Sequence, residues 1–224
     1  MRYRITCLSA LGIIIATTGA QAQVCLGAAP FSTGNMRVGA GATFGDNAKS
    51  YGVQFSGGAA QGTFGGASLS TVQYDDVPGS GTAIGASVGM SLNLVPAGTA
   101  QICPIVGFDY QNGPNINTGF GKVSVSAHAF SLGGSLGGVA MSSPGLDFVP
   151  FVSAAAILSQ ASASLAGDSE SDNQNYGEIS AGAGFVINRV LTLQPAVHVP
   201  VGLDGGKASF SIAFGFNFGN GPAK

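Results

Sequence analysis

Between residues 207 and 218 every second side chain is large and apolar. Phe210, Ile212, Phe214, Phe216 and Phe218 fall on one side, and Ser209, Ser211, Ala213, Gly215 and Asn217 on the other. Side chains of a strand alternate between its faces, so this stretch predicts a strand with one greasy face and one small or polar face. The same period predicts nine strands upstream. Residues 36–44 set Met36, Val38, Ala40, Ala42 and Phe44 against Arg37, Gly39, Gly41 and Thr43. Residues 50–57 set Tyr51, Val53 and Phe55 against Gln54 and Ser56, and 63–74 alternate poorly because glycines blur the register. Residues 82–94 alternate most cleanly, with Ile84, Ala86, Val88, Met90, Leu92 and Leu94 on one face. Residues 101–110 oppose Ile102, Val106, Phe108 and Tyr110 to Cys103, Gly107 and Asp109. In 122–134 the apolar set moves from Val123, Val125, Ala127 and Ala129 to Phe130 and Leu132, which predicts a bulge. Residues 147–159 are apolar on both faces and take no orientation from the pattern. Residues 176–187 oppose Ile179, Ala181, Ala183, Phe185 and Ile187 to Glu178, Ser180 and Gly182. Residues 190–200 oppose Leu191, Leu193, Val197 and Val199 to Thr192, Gln194 and His198.

Composition narrows what such faces can meet. Only 8% of the 224 residues are charged and 45% are apolar, where a soluble domain carries about 25% charged residues. Beyond the N-terminus there is no uncharged apolar run of the roughly 18 residues that a membrane helix needs. The 37 glycines follow no Gly-X-Y period, which excludes collagen. A formal net charge of −2 argues against nucleic acid as a partner.

Residues 1–22 have the organisation of an export signal: Arg2 and Arg4, an apolar stretch over 8–16, then Ala20-Gln21-Ala22 as a cleavage site. Cys7 leaves with it. Cys25 and Cys103 remain, and two cysteines in an exported chain favour a disulfide over two free thiols. Lipidation of Cys25 is the alternative, but Ala22 and Val24 stand where such sites place Leu and a small residue. The chain divides into a signal peptide (1–22), an N-terminal segment (23–34) that the resemblance drawn next places in the periplasm, a region of alternating strands (35–218) that it closes into a barrel, and a short tail (219–224).

Alternating strands after an export signal, ending on Phe214, Phe216 and Phe218, resemble a small bacterial outer-membrane β-barrel of the OmpA/OmpX-like or opacity-like kind. The resemblance implies an all-β, antiparallel, up-and-down transmembrane barrel of about ten strands, with eight or twelve as alternatives. It also implies outer-membrane lipid as the surroundings and the barrel assembly machinery as a partner that reads the last strand. Lipid offers no hydrogen bonds, so the first strand must pair with the last. Connections over 45–49, 75–80, 111–121, 167–175 and 202–206 then read as outer loops, and the shorter ones as periplasmic turns. Tyr51, Tyr74, Tyr110 and Tyr176 fall at the outer strand ends and suggest an aromatic girdle, since the ring is apolar and the hydroxyl wants water. Cys25 and Cys103 would tie the N-terminal segment into or across the periplasmic mouth.

Candidate chemistry is sparse. No phosphate-loop, dinucleotide-loop or zinc pattern occurs, and nothing implies a cofactor. Asp168, Ser169, Glu170 and Asp172 form one acidic cluster that matches no calcium loop. Arg37, Gln54, Asp109, Glu178 and His198 are the larger polar residues expected in the lumen. The leading functional reading is a non-enzymatic integral barrel with a structural, surface-interaction or narrow-pore role. The alternatives are an outer-membrane lipid hydrolase using His198, with Glu178 or Asp204 beside it, and a secreted soluble Gly-rich β-protein. A surface partner cannot be named from the sequence.

Overall fold

A computed structural model describes residues 24–28, 35–58, 62–75, 77–96, 98–118, 121–165 and 168–218. The export signal and the tail fall outside these residues. Ten long strands form the barrel: β1 Met36–Phe44, β2 Ala48–Gly58, β3 Thr63–Tyr74, β4 Ser80–Met90, β5 Ala100–Asn112, β6 Gly121–Gly138, β7 Leu146–Leu165, β8 Asp168–Ile187, β9 Leu191–Val201 and β10 Ser209–Phe218. Each pairs antiparallel with the next. β1 pairs with β10 from Met36↔Phe218 to Phe44↔Phe210, which closes the sheet. Closure leaves no barrel edge whose backbone groups would be unpaired in lipid. Short strands Leu92–Asn93, Ile116–Thr118 and Met141–Ser143 extend the ladders at their rims.

An even strand count brings both termini to one end, called here the terminal end. It carries the tight β8–β9 turn, where Asn188 and Arg189 adopt φ of 50° and 60°, the pairing expected of a two-residue hairpin. The opposite end carries the connections that follow β1, β3, β5, β7 and β9. There Lys49 meets Asp75 at 3.3 Å, and Lys207 bridges to Asp46 between two loops.

The apolar face points outward. Val88 is 62% exposed, Leu132 58% and Phe214 56%. In water such a surface would cost about 25 cal/mol per Å²; around a closed barrel it is a lipid-facing belt. A soluble Gly-rich β-protein, whose greasy faces would meet each other, is not favoured by this geometry.

Several elements depart from the sequence pattern for identifiable reasons. β6 runs in unbroken register against both β5 and β7, so there is no bulge. Val123, Val125, Ala127 and Ala129 share the inward face throughout, while Phe130 and Leu132 were always on the outward one. Ala127, Ala129 and Ile157 form an apolar cluster inside the lumen, joined by Ala161 and Tyr176. Tyr176 thus lies inside the barrel, and so does Tyr74, whose hydroxyl accepts from Gln111 Nε2. The aromatic girdle therefore reduces to Tyr51 and Tyr110, 44% and 40% exposed, because parity places the other two rings on the inward face. The segment 168–175, read as a loop, is the start of β8, paired with β7 from Leu165↔Asp168 onward. The strand over 82–94 is interrupted at Ser91, whose N–H and hydroxyl both turn to the Gly62 carbonyl, at 2.9 and 3.0 Å.

The glycines make room for the few large inward side chains. A side chain at Gly215 would collide with the Arg37 guanidinium, and one at Gly89 would meet the Phe64 ring. Gly215→Val is therefore expected to destabilise the barrel by about 1–3 kcal/mol through overpacking. The check is a lower temperature at which the folded, fast-migrating band disappears in heat-modifiability gels.

Candidate functional site

The lumen is the part of this fold where polar chemistry gathers, and its terminal end is occupied by the chain itself. Residues 24–28 lie inside the barrel, buried against its strands. Val24–Leu26 is a 3-10 turn closed by Gly27 N–H donating to the Val24 carbonyl at 3.1 Å. Val24, Cys25 and Ala28 are at most 1% exposed. Val24 packs on Val149 and Val186, and Cys25 and Leu26 pack on Phe64 and Cys103. This explains why 147–159 is apolar on both faces: outward residues meet the exterior, and inward Val149 meets the plug.

Four features seat the plug. Cys25 is disulfide-bonded to Cys103 of β5, with the Cα atoms 6.1 Å apart. Ser135 Oγ donates to the Cys25 carbonyl. Arg37 Nη2 donates to Gln194 Oε1 at 2.8 Å, and Gln194 Nε2 donates to the Leu26 carbonyl. Gly137 and Gly184 lie against the plug backbone, so a side chain on either would strike Val24 or Gly27. Arg37 itself is 0% exposed, with Nε and Nη1 unpartnered among the described residues.

On the other side of the plug lies a partly open chamber of about 180 Å³. Leu26 forms part of its floor, and Asp109, Glu178, His198, Gln54 and Thr43 are among its walls. The buried plug residues close its terminal side. His198 is held from both ring nitrogens: Nε2 lies 2.8 Å from Ser211 Oγ and Nδ1 lies 2.8 Å from Ser180 Oγ. Ser180 donates to Glu178 Oε1 at 3.2 Å, and that oxygen is 3.5 Å from Nδ1. An ionised carboxylate only accepts, so Ser180, which donates to Glu178, accepts from His198 Nδ1.

Of the expected lumen residues, Asp109, Glu178, His198 and Gln54 share this chamber, while Arg37 lies in the plug layer below it. The order Ser–His–carboxylate is that of a hydrolase, but the group faces the lumen and not the lipid. Ser211 also sits mid-ladder, paired with Thr43 and Ala196, so strand pairing engages the backbone donors that would stabilise an oxyanion. A lipid hydrolase using His198 is not favoured. Phe214, Phe216 and Phe218 lie outward on β10, 56%, 42% and 49% exposed. Thr43, Ser56, Ser180, Ser211 and Gln194 were not singled out from the sequence as site residues. Their parity was visible, but height along the lumen depends on the stagger between strands, which parity does not give.

No protein-family model matches the chain, and no curated protein matches it. Solved structures share the fold. The translocator domain of the autotransporter NalP from Neisseria meningitidis is 14% identical, with a TM-score of 0.52, covering 84% of this chain and 89% of that one. The N-terminal β-barrel domain of Pseudomonas aeruginosa OprF is 11% identical at a TM-score of 0.38, covering 83% and 98%. Ail, the attachment invasion locus protein of Yersinia pestis, is 12% identical at 0.42, covering 84% and 100%. The fold is that of an integral outer-membrane β-barrel. At this identity the likeness speaks to the fold alone, and one fold serves many roles.

Proposed function

We propose that this chain is an integral, non-enzymatic protein of a bacterial outer membrane that serves at the cell surface and does not conduct. The observation that carries this reading is the plug: residues 24–28 are buried across the terminal end of the lumen and held there by a disulfide and a relay of hydrogen bonds. With the termini periplasmic, the plug seals the lumen on its periplasmic side. β6, β7 and β8, of 18, 20 and 20 residues, exceed the roughly 9–11 residues that cross a membrane. The surplus stands above the outer rim as a three-stranded wall, a surface on which an external partner could dock. Outer-membrane lipid surrounds the belt, and the exposed Phe214, Phe216 and Phe218 suit recognition by the barrel assembly machinery. Nucleic acid is not among the partners this charge pattern supports.

Planar-bilayer recording on the purified, non-reduced protein tests the reading. No conductance above leak is expected. A steady single-channel conductance from the oxidised protein would overturn it in favour of a pore.

A further inference from the structure

We propose that the Cys25–Cys103 bridge is made while the chain is still open, by thiol–disulfide exchange with a disulfide-bearing oxidant of the periplasm, and that closure of the barrel then puts it beyond the reach of reductants. Access is the first ground. Both cysteines are 0% exposed. Leu26, Phe64 and Ile105 pack around them, and the Cys25 carbonyl accepts from Ser135 Oγ. Exchange requires a thiolate to reach one of the two sulfurs. A thiolate brought into this apolar layer gives up its hydration, which is costly for a charge. A protein oxidant is excluded by size, since the chamber above the plug holds about 180 Å³.

Order along the chain is the second ground, and it does not depend on exposure. Cys25 and Cys103 both precede β6, and the stretch between them contains β1 to β4 whole. The groups that seat the plug from outside that stretch all come later: Ser135 and Gly137 on β6, Val149 on β7, Gly184 and Val186 on β8, and Gln194 on β9. A chain exported N-terminus first therefore presents both thiols before the strands that bury them. In that open chain one cysteine thiolate attacks the oxidant's disulfide, giving a mixed disulfide and releasing one oxidant thiol. The other cysteine thiolate then attacks the mixed disulfide at the cysteine sulfur and releases the second oxidant thiol. Two cysteine thiols become one disulfide, the oxidant's disulfide becomes two thiols, and two protons pass from the cysteines to the oxidant. β6 to β10 then close around a plug already tethered to β5, so the plug is enclosed and not threaded in.

The first test is a pulse–chase experiment in a Gram-negative host. At each time thiols are blocked with N-ethylmaleimide, and unheated, non-reduced gels separate open from closed chains. Each band is rerun after heating, with and without reductant, to score the bridge. Bridged chains are expected in the open band, ahead of the closed form. A closed band that is unbridged at first and gains the bridge later overturns the proposal. The second test is dithiothreitol on the oxidised mature protein, either closed in a nonionic detergent or held unfolded in urea, with thiols counted by polyethylene-glycol maleimide. Reduction of the closed barrel is expected to be at least about a hundredfold slower than that of the unfolded chain, because a buried bond is reached only when the structure around it opens. Equal rates overturn the proposal. Neither readout depends on conductance, so failure here and failure of the non-conducting reading are separate results.

Discussion

Replacing both Cys25 and Cys103 with serine is expected to cost about 4 kcal/mol of stability and to turn a silent barrel into a conducting one. The bridge closes a stretch with a sequence separation of 78. In the chain-entropy account, a cross-link over a loop of that length restricts the unfolded chain by about 4–5 kcal/mol. The bridge also decides whether the plug stays seated. Ordering the backbone of residues 24–28 costs about 1–2 kcal/mol per residue. Against this stand the burial of Val24 and Leu26, about 1.5–3 kcal/mol for each fully buried side chain. The hydrogen bonds from Ser135 and Gln194 add about 1 kcal/mol apiece. The two sides nearly cancel, so without the covalent link the plug is in exchange with the periplasm. Two measurements check this: denaturant unfolding in detergent of the oxidised protein and the double-serine variant, and planar-bilayer recording on both. Unchanged unfolding together with an unchanged silent trace would mean that packing alone holds the plug.

The barrel was legible because lipid imposes a uniform rule on one face of every strand. Phe210 to Phe218, Ile84 to Met90 and Met36 to Phe44 all obey it, and closure follows once no other element exists to cover them. Legibility fails wherever a strand leaves the belt or the lumen stops being polar. Beyond the outer rim both faces of β8 meet water, so residues 168–175 lost their alternation and looked like a loop. Inside, Val149 and Ile157 are apolar because one meets the plug and the other meets Tyr176, which erased the pattern of β7 and imitated a bulge in β6. The plug has no period to read. Its sequence signal was chemical: a cysteine beside Val24 and Leu26, and a second cysteine at an inward position of β5. The chamber was half visible. Asp109, Glu178 and His198 were assigned to the inward face by parity, but their meeting with Ser211 and Thr43 depends on pairings between distant parts of the chain.

Leu132→Arg is expected to cost about 2–4 kcal/mol, the penalty for a cation at the middle of a lipid-facing belt. Leu132 is 58% exposed and pairs with Val106 on one side and Ala156 on the other. The same change at His128 should cost about 0–1 kcal/mol, since the penalty falls toward the interface. His128 lies on the same outward face of β6, opposite the rim residue Tyr110. Leu132→Trp separates lipid from protein as the thing Leu132 touches. Lipid tails yield to a larger ring, so the barrel should be as stable as the parent. A close-packed protein neighbour would not yield, and overpacking would cost about 1–3 kcal/mol. Folding into liposomes followed by denaturant titration reads all three variants. A depth-dependent cost for arginine with no cost for tryptophan is the result expected of a strand facing the bilayer. A large penalty for tryptophan would mean that β6 packs against protein.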